Sequence, residues 1–367
     1  MRVLIVDTYY SAFLESFYRR NPEIGRLDYS GHLARMMRER FSTFDSYSFY
    51  FRQSGWEAED VIVNDGCLQA KWARENGIFV PPIPGVFSNA SNVLLGKDWR
   101  FKVLLGQAKK MRPDVILIQE QSILTDAMVR ELKRHARLLV SQIASPLLKR
   151  RRYDSVDLVV TSFPHYVSLF REKGLKAEYV ALAFDKRILD EIGEVSEQYP
   201  ISFVGGVSPV HRHRLAVLER LSGEMPLDWF GYGAKKLPAE SPLKKTWRGE
   251  VWGLDMYRAL ASSRNTVNCH EPLVQGDYAN NNRLFEATGV GTCLVTDWKQ
   301  NIRGFFEPDR EVVIYNNPEE LIEKVRYLLA HPEEALTIGA AGQKRTLRDH
   351  TCEKRVLKMA DLFKKFL

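Results

Sequence analysis

The stretch from Tyr278 to Asp297 contains the residues whose chemistry is easiest to interpret, arranged as a polar loop, a short helix and a buried strand. Asn281 lies in the loop, and Arg283 and Glu286 occupy the first turn of the predicted helix. Phosphate binds to backbone N–H groups at a helix N-terminus, an arginine fork suits a diphosphate, and a carboxylate can accept both hydroxyls of a ribose. The spacing therefore predicts a nucleotide site, although Arg and Glu three residues apart also form ordinary surface ion pairs.

A second phosphate-binding pattern begins at Ile201, where a strand-like run ends in Gly205 and Gly206. Glycines allow the backbone to approach a ligand closely, and the start of the next predicted helix supplies Arg212 and Arg214. Either arginine fits a diphosphate, and the sequence does not choose between them. The neighbouring histidines do not predict a metal site, because no third ligand accompanies them.

Apolar runs typical of buried parallel strands alternate with helical patterns along the chain. The first run, Arg2–Asp7, is followed by Thr8–Ser11 instead of the glycine fingerprint of a dinucleotide fold, which argues against a nicotinamide or flavin cofactor. Because 367 residues exceed one ordinary core, we predict an α/β protein with two doubly wound, Rossmann-like parallel-sheet domains. The predicted boundaries are 1–188 for the first domain, 189–200 for a linker, 201–342 for the second domain and 343–367 for a C-terminal helix.

Three segments carry a resemblance to a known family. They are R-L-F-E-A-T-G-V-G-T-C-L-V-T-D from Arg283, F-F-E-P-D-R-E-V-V-I-Y from Phe305 and G-Q-K-R-T-L-R-D-H-T-C-E-K-R from Gly342. The sequence resembles the CgeB-like glycosyltransferases, a branch of the GT-B superfamily related to retaining family-4-type enzymes, most densely from about Ile201 onward. The resemblance implies a GT-B fold, with two domains facing across a cleft and a last helix that crosses back to the first domain.

The resemblance also implies that the second domain binds a nucleotide-diphosphate sugar. Related retaining enzymes carry two glutamates eight residues apart in this site; Glu286 falls at the second, which binds the ribose, whereas Tyr278 departs from the pattern at the first. The predicted donor-binding residues are Gly205, Gly206, Arg212, Arg214, Gly231, Tyr232, Asn268, His270, Asn281, Arg283, Leu284 and Glu286.

The first domain is expected to bind the acceptor, because aromatic residues follow its first strand and sugars stack on aromatic rings, although core packing also uses aromatic residues. The predicted acceptor-binding residues are Tyr9, Tyr10, Tyr29 and Gln142. An inverting enzyme needs a base, for which His165 or His32 would serve. The resemblance favours retention, which does not require that base.

The charge and the distribution of apolar residues limit the classes of binding partner and the cell compartment that we expect for this protein. The net charge of +7 is compatible with phosphorylated substrates, an anionic membrane or nucleic acid, but no nucleic-acid-binding module is recognisable. The densest basic run, Lys149–Arg152, predicts a solvated loop or, as the second interpretation, contact with anionic lipid. No apolar run reaches the roughly 18 residues that span a bilayer, and the N-terminus is too short for a signal peptide. The expected location is therefore the cytoplasm, with peripheral attachment to the inner face of the membrane as an option.

Neither a metal nor another cofactor is expected. A metal-binding D-x-D pair does not occur at any predicted strand end. Asp7, Asp114 and Asp297 are isolated aspartates and do not form such a pair. The four cysteines are far apart, which favours reduced thiols over disulfides or zinc.

We therefore predict a metal-independent, retaining glycosyltransferase that moves a sugar from a nucleotide-diphosphate sugar to a glycan, a lipid-linked or another acceptor. A nucleotide-sugar epimerase of the same fold is the alternative among enzymes, and the aromatic N-terminal segment argues against it. A non-catalytic binding or coat-assembly module with a degenerate site is the alternative from another class. Tyr278 favours that module, whereas Arg283 and Glu286 count against it.

Overall fold

The computed structural model describes residues 1–80, 99–147, 151–208, 211–271 and 277–367. Within these ranges, contacts divide the chain into two compact units, Met1–Ala181 with Val356–Leu367 and Leu182–Arg355. Each unit contains a six-stranded parallel sheet flanked by helices. The predicted α/β class with two doubly wound sheets is therefore confirmed.

The order of the strands locates the edge at which each sheet is suited to bind a ligand. The strands of the first sheet are β1 (Arg2–Asp7), β2 (Glu57–Ile62), β3 (Val115–Ile118), β4 (Leu138–Ile143), β5 (Leu158–Thr161) and β6 (Ala177–Tyr179). Those of the second are β7 (Tyr199–Val204), β8 (Asp228–Phe230), β9 (Trp247–Gly249), β10 (Ser263–Asn268), β11 (Cys293–Asp297) and β12 (Val313–Tyr315). Their orders are β2-β1-β3-β4-β5-β6 and β12-β11-β10-β7-β8-β9. The direction of winding reverses between β1 and β3 and between β7 and β10, where open α/β sheets bind ligands beyond their carboxyl ends.

Helices connect most successive strands, and several begin at side-chain caps. Asp65, Thr125 and Asn317 each accept a hydrogen bond from a backbone N–H in the first helical turn that follows. None of the helices in the described ranges is long and apolar enough to cross a lipid bilayer. The helices are α1 (Ser11–Arg20), α2 (Tyr29–Met37), α3 (Ser46–Gln53), α4 (Gly66–Glu75), α5 (Trp99–Met111), α6 (Asp126–Lys133), α7 (Pro164–Glu172), α8 (Arg187–Ile192), α9 (Arg212–Glu224), α10 (Pro242–Lys245), α11 (Leu254–Ala261), α12 (Arg283–Gly289), α13 (Pro318–Ala330), α14 (Pro332–Asp349) and α15 (Cys352–Phe366).

The central strands are buried on both faces, which explains why they read as continuous apolar runs. All four residues of β3 are fully buried. In the second unit, Ile201, Val267 and Val295 from three adjacent strands share one core cluster with Leu218 of α9. These layers hold the strand ends, and the loops that follow them, in fixed positions.

The chain between residues 182 and 200 is not a bare linker. The second unit begins at Leu182, before the predicted 189–200 segment, and α8 overlaps the start of that segment. Because α8 packs against α11, this part of the chain belongs to the fold of the second unit.

The predicted helix 343–367 is instead the end of α14 followed by α15. The helix breaks because the backbone pairs with Phe184: the Phe184 N–H donates to the His350 carbonyl and the Cys352 N–H donates to the Phe184 carbonyl, each at 2.9 Å. From Val356 onward, α15 packs in the first unit, where the Phe363 ring stacks on Phe51 with centroids 5.8 Å apart.

Candidate functional site

The carboxyl ends of β7 and β10 lie where the winding of the second sheet reverses. Gly205 and Gly206 follow β7, and Asn268 is the last residue of β10. Asn268 is in register with Thr296 of the neighbouring β11. Residues predicted to bind the donor, although distant in the sequence, are therefore brought to the carboxyl end of this sheet.

Arg283 and Glu286 form a shielded ion pair on the first turn of α12. Each side chain is 14% exposed, and Arg283 Nη1 lies 3.0 Å from Glu286 Oε2. Burial raises the pKa of the Glu286 carboxyl, and the Arg283 charge opposes this shift only in part. Because α12 packs against β10, this pair is part of the same sheet edge and differs from the solvated surface pair that the spacing also allowed.

The loop before α12 is held by hydrogen bonds on both of its sides. The Ala279 N–H donates to Asn301 Oδ1 at 2.7 Å, and Asn301 Nδ2 donates to the Ala279 carbonyl at 3.0 Å. Asn281 Nδ2 donates to Asn268 Oδ1 at 2.7 Å. The structure therefore brings together two predicted donor residues, Asn268 and Asn281, that are 13 positions apart in the sequence.

His270 is held by a carboxylate that was not predicted as a site residue. Its Nδ1 and its backbone N–H lie 2.6 and 3.0 Å from Asp297 Oδ1, and Lys299 Nζ lies 3.2 Å from Asp297 Oδ2. Burial alone would raise the pKa of Asp297, but the His270 hydrogen bond and the charges of His270 and Lys299 lower it overall. The sequence signal that could have predicted this contact is the position of the two residues at strand ends. Asp297 is the last residue of β11, and His270 lies two residues after the end of the neighbouring β10.

The glycine turns after β7 and β8 are filled by protein atoms. A Cβ on Gly206 would lie 2.1 Å from the Tyr232 ring, and a Cβ on Gly231 would lie 2.0 Å from the Gly205 carbonyl oxygen. The Tyr232 ring in turn stacks on Trp252. Packing of the two turns against each other therefore explains these glycines, whereas the sequence suggested close approach of a ligand.

Arg212 and Arg214 have different environments. Arg214 is half-buried, and its Nε and Nη1 donate to the carbonyls of Cys269 and Gly206 at 3.2 and 3.3 Å. Its backbone N–H, in the first turn of α9, donates to Glu271 Oε1 at 2.9 Å. Arg214 therefore ties β7 to β10 structurally, and the exposed Arg212 is the better candidate for a diphosphate contact.

Leu284 and Tyr9 are core residues, which corrects their assignment as ligand contacts. Leu284 is fully buried on the inner face of α12, and Tyr9 is 1% exposed. The Tyr9 ring packs edge-on against Phe13 and Phe41 with centroids 5.3 and 5.2 Å apart. Neither side chain is accessible to a ligand in this structure.

His32 is also buried, so its predicted role as a base is wrong. The residue is 0% exposed, and its Nε2 lies 3.2 Å from the Tyr18 hydroxyl, which donates to Asp65. Burial, helped by the Lys71 charge, lowers the pKa of His32 to about 4. The ring therefore serves a buried polar network and does not reach an acceptor.

The other predicted residues of the first unit are accessible to different degrees. Tyr10 is 63% exposed, whereas Tyr29 and Gln142 are half-buried, and Gln142 Nε2 donates to the Tyr47 hydroxyl at 3.3 Å. His165 is half-buried in the first turn of α7, where burial lowers its pKa. The structure does not join these four residues into one cluster, and their roles stay predictions.

Two buried carboxylates near the carboxyl end of the first sheet were not predicted. Asp7 ends β1 at the reversal of winding and accepts hydrogen bonds from the Thr8 N–H at 2.8 Å and the Thr43 hydroxyl at 2.9 Å. Burial raises its pKa to about 6 against these hydrogen bonds. Burial likewise raises the pKa of Asp60 on β2 to about 7, against a hydrogen bond from the Ser48 hydroxyl.

Asp60→Asn is expected to stabilise the protein at pH 8 and not at pH 4. Between the ordinary carboxyl pKa of 3.8 and about 7, the folded state holds a proton that the unfolded state has released, so wild-type stability falls as the pH rises. Asparagine cannot ionise, and the gain above pH 7 is at most about 4 kcal/mol. Urea unfolding of both proteins at pH 4, 6 and 8 measures this difference, and a difference that does not change with pH would contradict the expectation.

The basic run Lys149–Arg152 has a described part and a part outside the described residues. Lys149 and Arg150 lie outside them. Arg151 is largely buried, with Nη1 3.0 Å from Asp126 Oδ1 and Nη2 donating to the Gln121 carbonyl at 2.9 Å. Arg151 is therefore committed to the fold and is not available for lipid.

Comparisons with known proteins agree with this architecture. Residues 208–361 match the family model described as glycosyl transferase-like, and a search of curated proteins gives no match. Anabaena HepE in complex with UDP-glucose is similar in structure, with a TM-score of 0.63, 12% identity and full coverage of both chains. Sucrose-phosphate synthase from Thermosynechococcus elongatus has a TM-score of 0.60 and 12% identity, covering 100% of this chain and 98% of that one.

AviGT4, a glycosyltransferase involved in avilamycin A biosynthesis, has a TM-score of 0.56 and 14% identity over 100% of this chain and 98% of its own. These likenesses show the GT-B fold, and the family match places a glycosyltransferase-like domain at residues 208–361. Together they support a glycosyltransferase. The narrower CgeB-like relationship stays a prediction.

Proposed function

We propose that this protein transfers a sugar from a nucleotide-diphosphate sugar, bound by the second unit, to a glycan or lipid-linked acceptor bound by the first. The observation that carries this proposal is the shielded Arg283–Glu286 pair beside the carboxyl end of β10. A shielded guanidinium and carboxylate at this end of the sheet offer complementary partners for a diphosphate and for ribose hydroxyls. HepE, which shares the fold, has been solved with UDP-glucose and with UDP.

The proposed chemistry assigns separate roles to the two charges. Glu286 accepts hydrogen bonds from the ribose, and Arg283, with the exposed Arg212, faces the negative charge that grows on the diphosphate as the sugar leaves. Fixed donors of this kind act mainly on the transition state. Metal independence is part of the proposal, since arginine supplies the countercharge that a metal would otherwise provide. Net retention is proposed from the resemblance; His32 is too deeply buried to be the base of an inverting enzyme, and His165 is the remaining candidate for that base.

The location proposed is the cytoplasm, with the acceptor brought to the protein at the inner face of a membrane when it is lipid-linked. Tyr10, which is 63% exposed as a residue, is the candidate for stacking on that acceptor. Vesicles with and without anionic lipid would test the membrane contact by co-sedimentation.

The melting temperature in the presence of UDP, GDP, ADP, CMP or TDP, with EDTA added, tests the donor. A ligand at 100 times its Kd stabilises a protein by about 2.7 kcal/mol, which raises Tm by a few degrees for a chain of this size. We expect a rise with one nucleotide and release of that nucleotide from its sugar ester on turnover.

Each other outcome points to a defined alternative. No rise with any nucleotide would overturn the proposal. A rise without turnover would favour the non-catalytic module, and conversion of the sugar ester into its epimer would favour the epimerase.

A further inference from the structure

The outward face of α15, where this helix packs in the first unit, is basic. It exposes Lys358, Lys364 and Lys365. Lys173 and Lys176 are exposed in the turn between α7 and β6. Because β6 is the last strand in the order of the first sheet, this turn lies at the edge of the sheet. Two elements that are far apart in the sequence therefore both present lysines on the surface of this unit.

Aromatic rings join these two groups of lysines into one surface. The Phe366 ring of α15 has two ammonium groups beside it, with Lys176 Nζ 5.2 Å and Lys365 Nζ 5.3 Å from its centroid. Lys358 Nζ lies 5.7 Å from the centroid of the Tyr179 ring on β6. These separations are within the range of cation–π contacts. We call Lys176, Lys358 and Lys365, together with these two rings, the lysine face.

The positive charge of the lysine face is not neutralised by the described part of the chain. Its three ammonium groups have no carboxylate within 4.0 Å among the described residues. Two acids nearby have other partners, since Glu178 lies 3.4 Å from Arg171 and Asp361 lies 3.8 Å from Lys364. Two ammonium groups beside one ring also repel each other. The lysine face is therefore suited to a partner that carries many negative charges.

Apolar groups within this surface favour a lipid bilayer over other polyanions. Leu357, next to Lys358 on α15, is 48% exposed, and Phe366 is half-buried. The aliphatic stem of a lysine lies along apolar surface while its ammonium group stays in water. Exposed apolar groups among lysines are typical of a helix at a membrane interface. Nucleic-acid recognition relies more on arginine forks, and the lysine face, as defined, contains no arginine.

We propose that the lysine face and Leu357 form a docking surface for an anionic lipid bilayer. This surface is separate from the run Lys149–Arg152, in which Arg151 is committed to an ion pair with Asp126. The inference rests on the proposed function for its purpose, because docking brings the unit that is assigned to the acceptor to the membrane that holds a lipid-linked acceptor. The docking itself requires no donor.

Co-sedimentation of the full chain with phosphatidylcholine vesicles, with and without phosphatidylglycerol, tests this surface. We expect binding only when phosphatidylglycerol is present, and less binding as salt is added. Replacing Lys176 and Lys365 together by glutamine should weaken that binding about tenfold or more. The matched control replaces Lys102 and Lys109, two exposed lysines of α5 in the same unit, and should weaken it much less.

Leu357→Asn distinguishes a bilayer from a purely electrostatic partner, and we expect it to weaken vesicle binding severalfold. All variants change exposed side chains, so their melting temperatures should equal that of the wild type. Failure of the wild type to sediment with anionic vesicles would overturn the proposal, and so would equal losses in the two lysine pairs. Unchanged binding in Leu357→Asn, together with tighter binding to a single-stranded RNA homopolymer, would assign the face to nucleic acid instead. Because the assay contains no nucleotide, its result is independent of the melting screen that tests the donor.

Discussion

Replacing Glu286 by alanine is expected to weaken nucleotide binding by about ten- to a hundredfold. The change removes charge-assisted hydrogen bonds to the ribose, which contribute roughly 1.5–3 kcal/mol. The carboxylate is 14% exposed and lies 3.0 Å from Arg283, so its field is little screened by water. Calorimetric titration of the nucleoside diphosphate identified by the melting screen measures the loss.

Alanine at this position also leaves the Arg283 guanidinium without its ion partner, and a control must separate this effect from ribose binding. Glu39→Ala removes a shielded carboxylate in the first unit, where Glu39 pairs with Arg20 at 2.6 Å and Arg35 at 2.7 Å. It should lower stability without changing nucleotide affinity. If Glu286→Ala lowers stability but binds the nucleotide as tightly as wild type, the ribose assignment is wrong.

The elements of the second unit could be predicted closely because they depend on local patterns. The expected helix from Arg283 to Thr288 is found as Arg283–Gly289, and the expected strand from Thr292 to Thr296 is found as Cys293–Asp297. An apolar run bounded by glycines is enough to define a buried strand, and a polar loop before periodic apolar residues defines a helix start. The same reasoning gave the fold class.

The accessibility of single side chains could not be predicted in this way. Tyr9 and His32 have the residue types of a binding surface, but both are covered by neighbouring residues of the first unit. Arg212 and Arg214 are two residues apart, but only Arg214 is engaged in hydrogen bonds to Cys269 and Glu271. These partners belong to a distant part of the sequence. Such pairings follow from strand order, which the sequence did not provide.

The contact between His270 and Asp297 illustrates the same limit. The two residues are 27 positions apart, and Asp297 alone satisfies no motif. Once β10 and β11 are known to be parallel neighbours with Asn268 opposite Thr296, the two side chains must meet just beyond the strand ends. Knowledge of the strand order therefore supplies the information that composition and spacing lack.

Gly231→Ala is expected to destabilise the second unit strongly, by about 2–4 kcal/mol, and to lower its Tm by roughly 5–10 °C. The added Cβ would lie 2.0 Å from the Gly205 carbonyl oxygen, and φ of +158° disfavours alanine. The backbone cannot easily move away, because the Gly231 N–H donates to the Gly249 carbonyl and its carbonyl accepts from Trp247 Nε1, each at 2.8 Å.

Gly223→Ala is the matched control, since Gly223 lies in α9 of the same unit and a Cβ there has nothing within 4 Å. Alanine should leave stability unchanged or raise it by about 0.4–1 kcal/mol. Because Gly205 and Gly231 form the turns beside the proposed diphosphate contact, Gly231→Ala should also weaken nucleotide binding in the fraction that remains folded. Equal melting temperatures for the two variants would mean that the turns relax without cost, and the packing explanation for these glycines would then fail.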